Sequence, residues 1–151
     1  MEPFPETMSE IELQKKASIA IAPLGHHLDS LGYTRGTVET KKLGSSNSVK
    51  YQYHHEVYGR VINVFAMERL GVEAFIHQNL DGDKFSLSDY LKWKSKGKTR
   101  DLAVRKDDET WERYAERCVR TIVHIFELDL RKVVRGEEWM SVPIDWSIAG
   151  R

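Results

Sequence analysis

The chain has a single cysteine, Cys118, so no disulfide can form within it. A cross-linked scaffold is excluded, and such cysteine usage suits a reducing cytosol. No apolar run approaches the roughly 18 residues that would span a bilayer. Acids and bases cancel, with 23 of each, so no global field draws the protein to nucleic acid or to a membrane surface. The opening MEPFPETMSE lacks the basic and then apolar layout of a secretory signal. Together these absences describe a cytoplasmic protein that does not enter the membrane. Equally absent are GxSxG, a phosphate-cradling Walker loop, GxGxxG, HExxH and paired CxxC strings. No catalytic signature, metal spacing or cofactor fingerprint is therefore legible.

What remains is an ordinary globular composition, 151 residues with 40% hydrophobic and 30% charged side chains. That length suffices for one domain over 1–151, with 1–8 and 137–151 as extended tails. The longest pattern runs from Asp107 to Gly136. At 100° per residue, Trp111, Ala115, Cys118, Val119, Ile122, Ile125, Phe126, Leu130 and Val133 gather on one side. The spacing predicts one continuous amphipathic helix, about 40 Å long, capped by Asp107 or Asp108 and stopped by a left-handed Gly136. Acid-first pairs at Glu109–Arg113, Glu116–Arg120 and Glu127–Arg131 would support it. Cys118 falls on the apolar side, which predicts an inert buried thiol. Asp129 breaks that side, and a carboxylate there needs a partner, solvent or a proton.

Upstream, Ser9-Glu10-Ile11-Glu12 matches a capping box, with Met8 and Leu13 placed as a staple. The helix it opens carries Leu13, Ala17, Ala20, Ile21, Leu24, Leu28 and Leu31 on one side, and Pro23 predicts a kink or a division into two. From Tyr33 to Lys84 the period changes to two. A weak strand over Tyr33–Leu43, then Val49–Val57, Val61–Met67, Val72–His77 and Lys84–Leu87, with tight turns between, predict an antiparallel meander of four to five strands. Val61–Met67 is apolar on both faces, so it should be central, with something covering each side. A short helix over Ser88–Trp93 and a loop over Lys94–Lys106 follow. The tail holds Trp139, Met140, Val142, Ile144, Trp146 and Ile148, too apolar to stay free. The expected class is α+β: N-terminal helix, meander, short helix, and a long C-terminal helix packed on the sheet.

Six histidines include the adjacent pairs His26-His27 and His54-His55. Neighbours on a strand point to opposite faces, and on a helix they differ by about 100°, so neither pair makes a metal site. Between Lys92 and Lys106 seven basic residues meet one acid, Asp101, a local +6.

These residues support three functional readings. The leading one is a small protein-binding module acting by contact with another protein or a second copy of itself, as a homodimer. A concrete form is a toxin-neutralising (immunity-type) protein that occludes its partner's active site. Tyr51, Tyr53, Trp139 and Trp146 are then the candidate anchors, since rigid aromatics dominate such contacts. The second reading is nucleic-acid binding by the basic loop, with Lys92, Lys94, Lys96, Lys98 and Arg100 along a phosphate backbone and Trp93 stacked on a base. The third is an enzyme using Asp129 with a histidine brought in by the fold, such as His27, His55 or His77.

Overall fold

The computed structural model describes residues 8–99 and 101–142. Ser9 caps the first helix, α1 (Glu10–Ser30), by accepting the Glu12 amide and returning its hydroxyl to the Glu12 carboxylate, both at 3.2 Å. This is half of the capping box read from the sequence: Ser9 caps the Glu12 amide, but the Glu12 carboxylate takes the Ser9 hydroxyl and not its amide. Met8 does not trail away as leader but is buried, and its amide donates to Glu68 Oε2 at 2.8 Å. Pro23 neither ends nor divides α1, which stays helical for 21 residues. The proline is exposed, so the Ile19 carbonyl that loses its amide partner faces water. Leu13, Ala17, Ala20, Ile21, Leu24 and Leu28 form the buried side.

Five strands follow, β1 (Thr34–Leu43), β2 (Ser46–His54), β3 (Val61–Met67), β4 (Gly71–His77) and β5 (Lys84–Ser86). They pair in chain order, every neighbour antiparallel. β3 is thus the central strand. Between Arg35 and Val38 the register of β1 slips, a bulge near the start of the edge strand. The fold class is α+β.

A short helix, α2 (Leu87–Lys94), is capped by Ser86, and a loop leads to α3 (Trp111–Glu127). Neither Asp107 nor Asp108 caps α3. Thr110 does, accepting the Arg113 amide at 3.3 Å, while Asp108 sits in the preceding turn at φ 61°. Glu109 consequently lies outside the helix and binds Arg117 at 3.0 Å, not Arg113. The other acid-first pairs also give way: Glu127 faces His27 of α1 at 3.6 Å, and Glu116–Arg120 is not an ion pair among the described residues.

The long helix is broken. After Glu127 three residues turn, with Leu130 N–H donating to the Ile125 carbonyl at 2.9 Å, before a last helical turn, α4 (Arg131–Val134). Tertiary donors reward this interruption. Tyr33 Oη donates to the Val134 carbonyl at 2.5 Å and Arg60 Nε to the Val133 carbonyl at 3.0 Å, capping carbonyls that a terminating helix leaves open. Gly136 then closes the turn at φ 75°, the left-handed stop expected there.

Helices α1 and α3 lie against each other and cover one face of the sheet. Ile62, Val64 and Ala66 of β3 meet Leu24, Leu28, Ile122 and Phe126 in a single buried cluster that also takes in Val142, with Trp139 and Met140 packed against it. Each fully buried Leu or Ile contributes about 1.5–3 kcal/mol. Residues 137–142 of the tail therefore fold back onto the body. Among the described residues no helix is long and apolar enough to cross a membrane.

Candidate binding face

Strand residues alternate between faces, so the register alone assigns every side chain to one side or the other. Tyr51 faces Val38 and Val64, Tyr53 faces Arg35 and Ile62, and all of these lie on the helix-covered side. The other side falls into cross-strand rows. One row runs Lys41, Ser48, Met67, Gly71; the next runs Glu39, Lys50, Phe65, Glu73. A third runs Gln52, Asn63, Phe75, Ser86, and the last runs Thr34, His54, Val61, His77, Lys84.

At the centre Phe65 and Phe75 are diagonal neighbours, their rings edge-to-face at 5.7 Å and 82°. Both remain part-exposed, as do Met67, Lys50 and Gln52. Beside them a chain of amides crosses three strands. Gln52 Nε2 donates to Asn63 Oδ1 at 3.1 Å, and Asn63 Nδ2 lies 3.0 Å from His77 Nε2. An amide nitrogen can only donate, so His77 accepts there and carries its proton on Nδ1. Burial first, then the ammonium groups of Lys84 and Lys50, hold the His77 imidazole below its ordinary pKa. The same chain keeps Asn63, itself buried, from lacking a partner.

Carboxylates on this face are already engaged. Glu39 meets Lys41 at 3.7 Å, and Glu73 accepts the Ser88 hydroxyl and the Ala74 amide. Burial nevertheless pushes the Glu73 carboxyl above the usual carboxylate range, those two donors only opposing it. Lys50 and Lys84, in contrast, have no carboxylate within ion-pair distance among the described residues.

Three of the four aromatics put forward as anchors lie among the described residues, and these three do not make a surface. Tyr51 and Tyr53 are 4% exposed and belong to the core, a correction that follows from the side of the sheet they occupy. Trp139 is packed against Phe85 at 5.5 Å, lies under the Arg60 guanidinium at 5.0 Å, and donates to Asp83 at 3.3 Å. It fastens the tail. Trp146 lies outside the described residues.

The basic segment is likewise tied down in part. Lys94 binds Asp129 at 2.5 Å and sits over the Tyr90 ring, and Arg117 holds the Val104 carbonyl at 2.7 Å. Trp93 is 45% exposed at the end of α2, near Lys92, while Lys96 takes a left-handed turn ahead of Lys98. Arg100 lies outside the described residues.

Asp129 is not in the apolar side of a helix. The break at Leu128–Leu130 carries it to the surface, where Lys94 and the Tyr90 hydroxyl, at 3.2 Å, hold its carboxyl below the usual range. None of the histidines named with Asp129 reaches it. His27 turns to Glu127, His55 stacks on Tyr58 at 4.3 Å, and His77 belongs to the amide chain. Among the described residues no three His, Cys, Asp or Glu side chains cluster as metal ligands. Cys118 is buried and its thiol is pushed up to about 11 by that burial.

Concavities among the described residues include one between the helices and one that borders this face. A groove of about 350 Å³ separates α1 from α3 along Ile19, Pro23, Val119 and Val123. A smaller hollow, about 270 Å³, borders the face at Met67 and Glu73, closed by Ser88, Leu102, Tyr114 and Cys118. Compared with profiles of known families, with curated proteins and with solved structures, the chain matches none.

The residues that sequence reasoning missed are Phe75 and Asn63, while His77 was named only as a possible companion of Asp129. A signal existed for Phe75: Val72, Ala74 and Ile76 alternate with Glu73, Phe75 and His77, which sets one aromatic among polar side chains on the outward side.

Proposed function

We propose that this is a protein-binding module of the toxin-neutralising type, which lays the uncovered face of its sheet on a partner protein and works by occlusion. The single observation supporting it is the make-up of that face. Phe65, Met67 and Phe75 stand part-exposed on the central strands, framed by Lys50, Gln52 and His77, on the side of the sheet away from α1 and α3, with Ser88 of α2 reaching this side at Glu73. An apolar centre with a polar rim is the anatomy of a contact surface. The same reading places the protein in the cytoplasm, where a lone buried thiol is at home.

The experiment is capture from a native lysate by the wild type and by Phe65→Asp, with light scattering on the purified proteins. A stoichiometric partner, or a second copy, retained by the wild type and lost by a folded Phe65→Asp supports the reading. A strictly monomeric wild type that captures nothing, or a variant that keeps the partner, removes it.

A further inference from the structure

We propose that the uncovered sheet face receives an extended acidic segment of the partner, with an apolar side chain seated on Phe65 and Phe75 and carboxylates reaching Lys50 and Lys84. This rests on the protein-binding reading above and assigns the chemistry of its partner. Charge complementarity carries it. Both acids in the rows around the aromatic pair are engaged, Glu39 by Lys41 and Glu73 by Ser88 and the Ala74 amide. The two lysines that flank the pair are not. An unmatched cation pair beside an apolar patch is complementary to acids on either side of a hydrophobic residue.

The register sets the spacing. Lys50 and Lys84 stand three strands apart and two rows apart, with Phe65 and Phe75 on the diagonal between them. With strands about 4.8 Å apart and about 3.4 Å per residue, their Cα atoms are roughly 20 Å apart. An extended chain covers that in about six residues. The face measures roughly 20 by 25 Å from the same spacings, about 500 Å². A stable protein–protein contact buries about 800 Å² on each side. That shortfall favours a segment over a second copy lying flat on this face. Single-stranded nucleic acid, the other polyanion, fits less well. The perpendicular Phe65 and Phe75 rings offer no pair of parallel stacking faces, and none of the four rows on this face holds an arginine.

The test is display selection of random 12-residue peptides on the immobilised full chain, repeated on K50E/K84E and on F65D, each shown to be folded by circular dichroism. A fluorescent decathymidylate is titrated in parallel. The expected result is enrichment of peptides with Asp or Glu about six residues apart around Leu, Phe or Trp. Their affinity should fall about three- to tenfold in K50E/K84E, the worth of two exposed ion pairs, and further in F65D. Lys-for-acid versions of the selected peptides should prefer K50E/K84E over the wild type. Peptides that need Phe65 but carry no acids, and are indifferent to K50E/K84E, overturn this inference while leaving protein binding at the face intact. Saturable decathymidylate binding that K50E/K84E abolishes overturns it in favour of nucleic acid. Selection of nothing that depends on Phe65 overturns it together with the face as a binding surface.

Discussion

Replacing Arg60 by methionine should cost the protein about 3 kcal/mol. The guanidinium is buried and donates three times, to the carbonyls of Val133 at 3.0 Å, Gln78 at 3.1 Å and Glu138 at 2.6 Å, while lying over Trp139. Hydrogen bonds from a charged donor contribute about 1.5–3 kcal/mol each. Those to Gln78 and Glu138 are only part-buried, and water can replace the donor there. The bond to Val133 is buried, so its loss is felt in full. Losing the ring contact adds about 1 kcal/mol, and relief of a buried charge offsets part of the total. A drop of about 3 kcal/mol corresponds to roughly 6–12 °C in Tm for a chain of this size. Urea titration followed by circular dichroism measures it, with the emission of the chain's tryptophans as a second probe. Arg60→Lys should recover less than half, because an ammonium cannot reproduce the fork that reaches three carbonyls at once. A loss below about 1 kcal/mol would refute the claim that Arg60 ties the end of α4 and the tail to the sheet.

Gly136→Ala should destabilise by roughly 2–3 kcal/mol. The left-handed φ alone costs about 1–2 kcal/mol, and a Cβ there would lie 2.3 Å from Tyr58 Cγ. Equilibrium unfolding of Gly136→Ala beside Tyr58→Gly/Gly136→Ala checks this, the double variant recovering the steric share because Tyr58 Cβ, at 2.5 Å, is removed along with the ring. His77 supplies a pH dependence. Its folded pKa is depressed, so the stability it contributes is fully present above the unfolded value of about 6.5 and declines as pH falls from there toward the folded pKa. His77→Gln should flatten that limb of the stability curve, and an unchanged limb would mean that other groups carry it. Cys118, with its thiol at about 11, should react slowly with iodoacetamide at pH 8 and accelerate in step with urea unfolding.

Much of the fold was legible because strands announce themselves by period. Val61–Met67 and Val72–His77 stood out through alternation and the turns beside them, and Ser9 and Gly136 marked two helix ends by local chemistry. The break after Glu127 was not legible, since the donors that stabilise the last turn, Tyr33 and Arg60, lie far away in sequence. Asp129 was misplaced for the same reason: projecting it from Ile122 assumes a regular helix that tertiary contacts interrupt. Tyr51 and Tyr53 illustrate another limit. Alternation shows that they share a face, but only the helices decide which face is covered. Thr110 took the cap from Asp107 and Asp108 because Glu109 is drawn out of the helix by Arg117 and the Lys106 amide.

The most direct test of the central claim is a backbone amide chemical-shift map of the full chain titrated with a selected acidic peptide. The account predicts that the largest changes fall on Lys50, Asn63, Phe65, Phe75 and His77, with Ile19, Val119 and Val123 of the helical groove unmoved. Changes concentrated in that groove, with the sheet face silent, would contradict it.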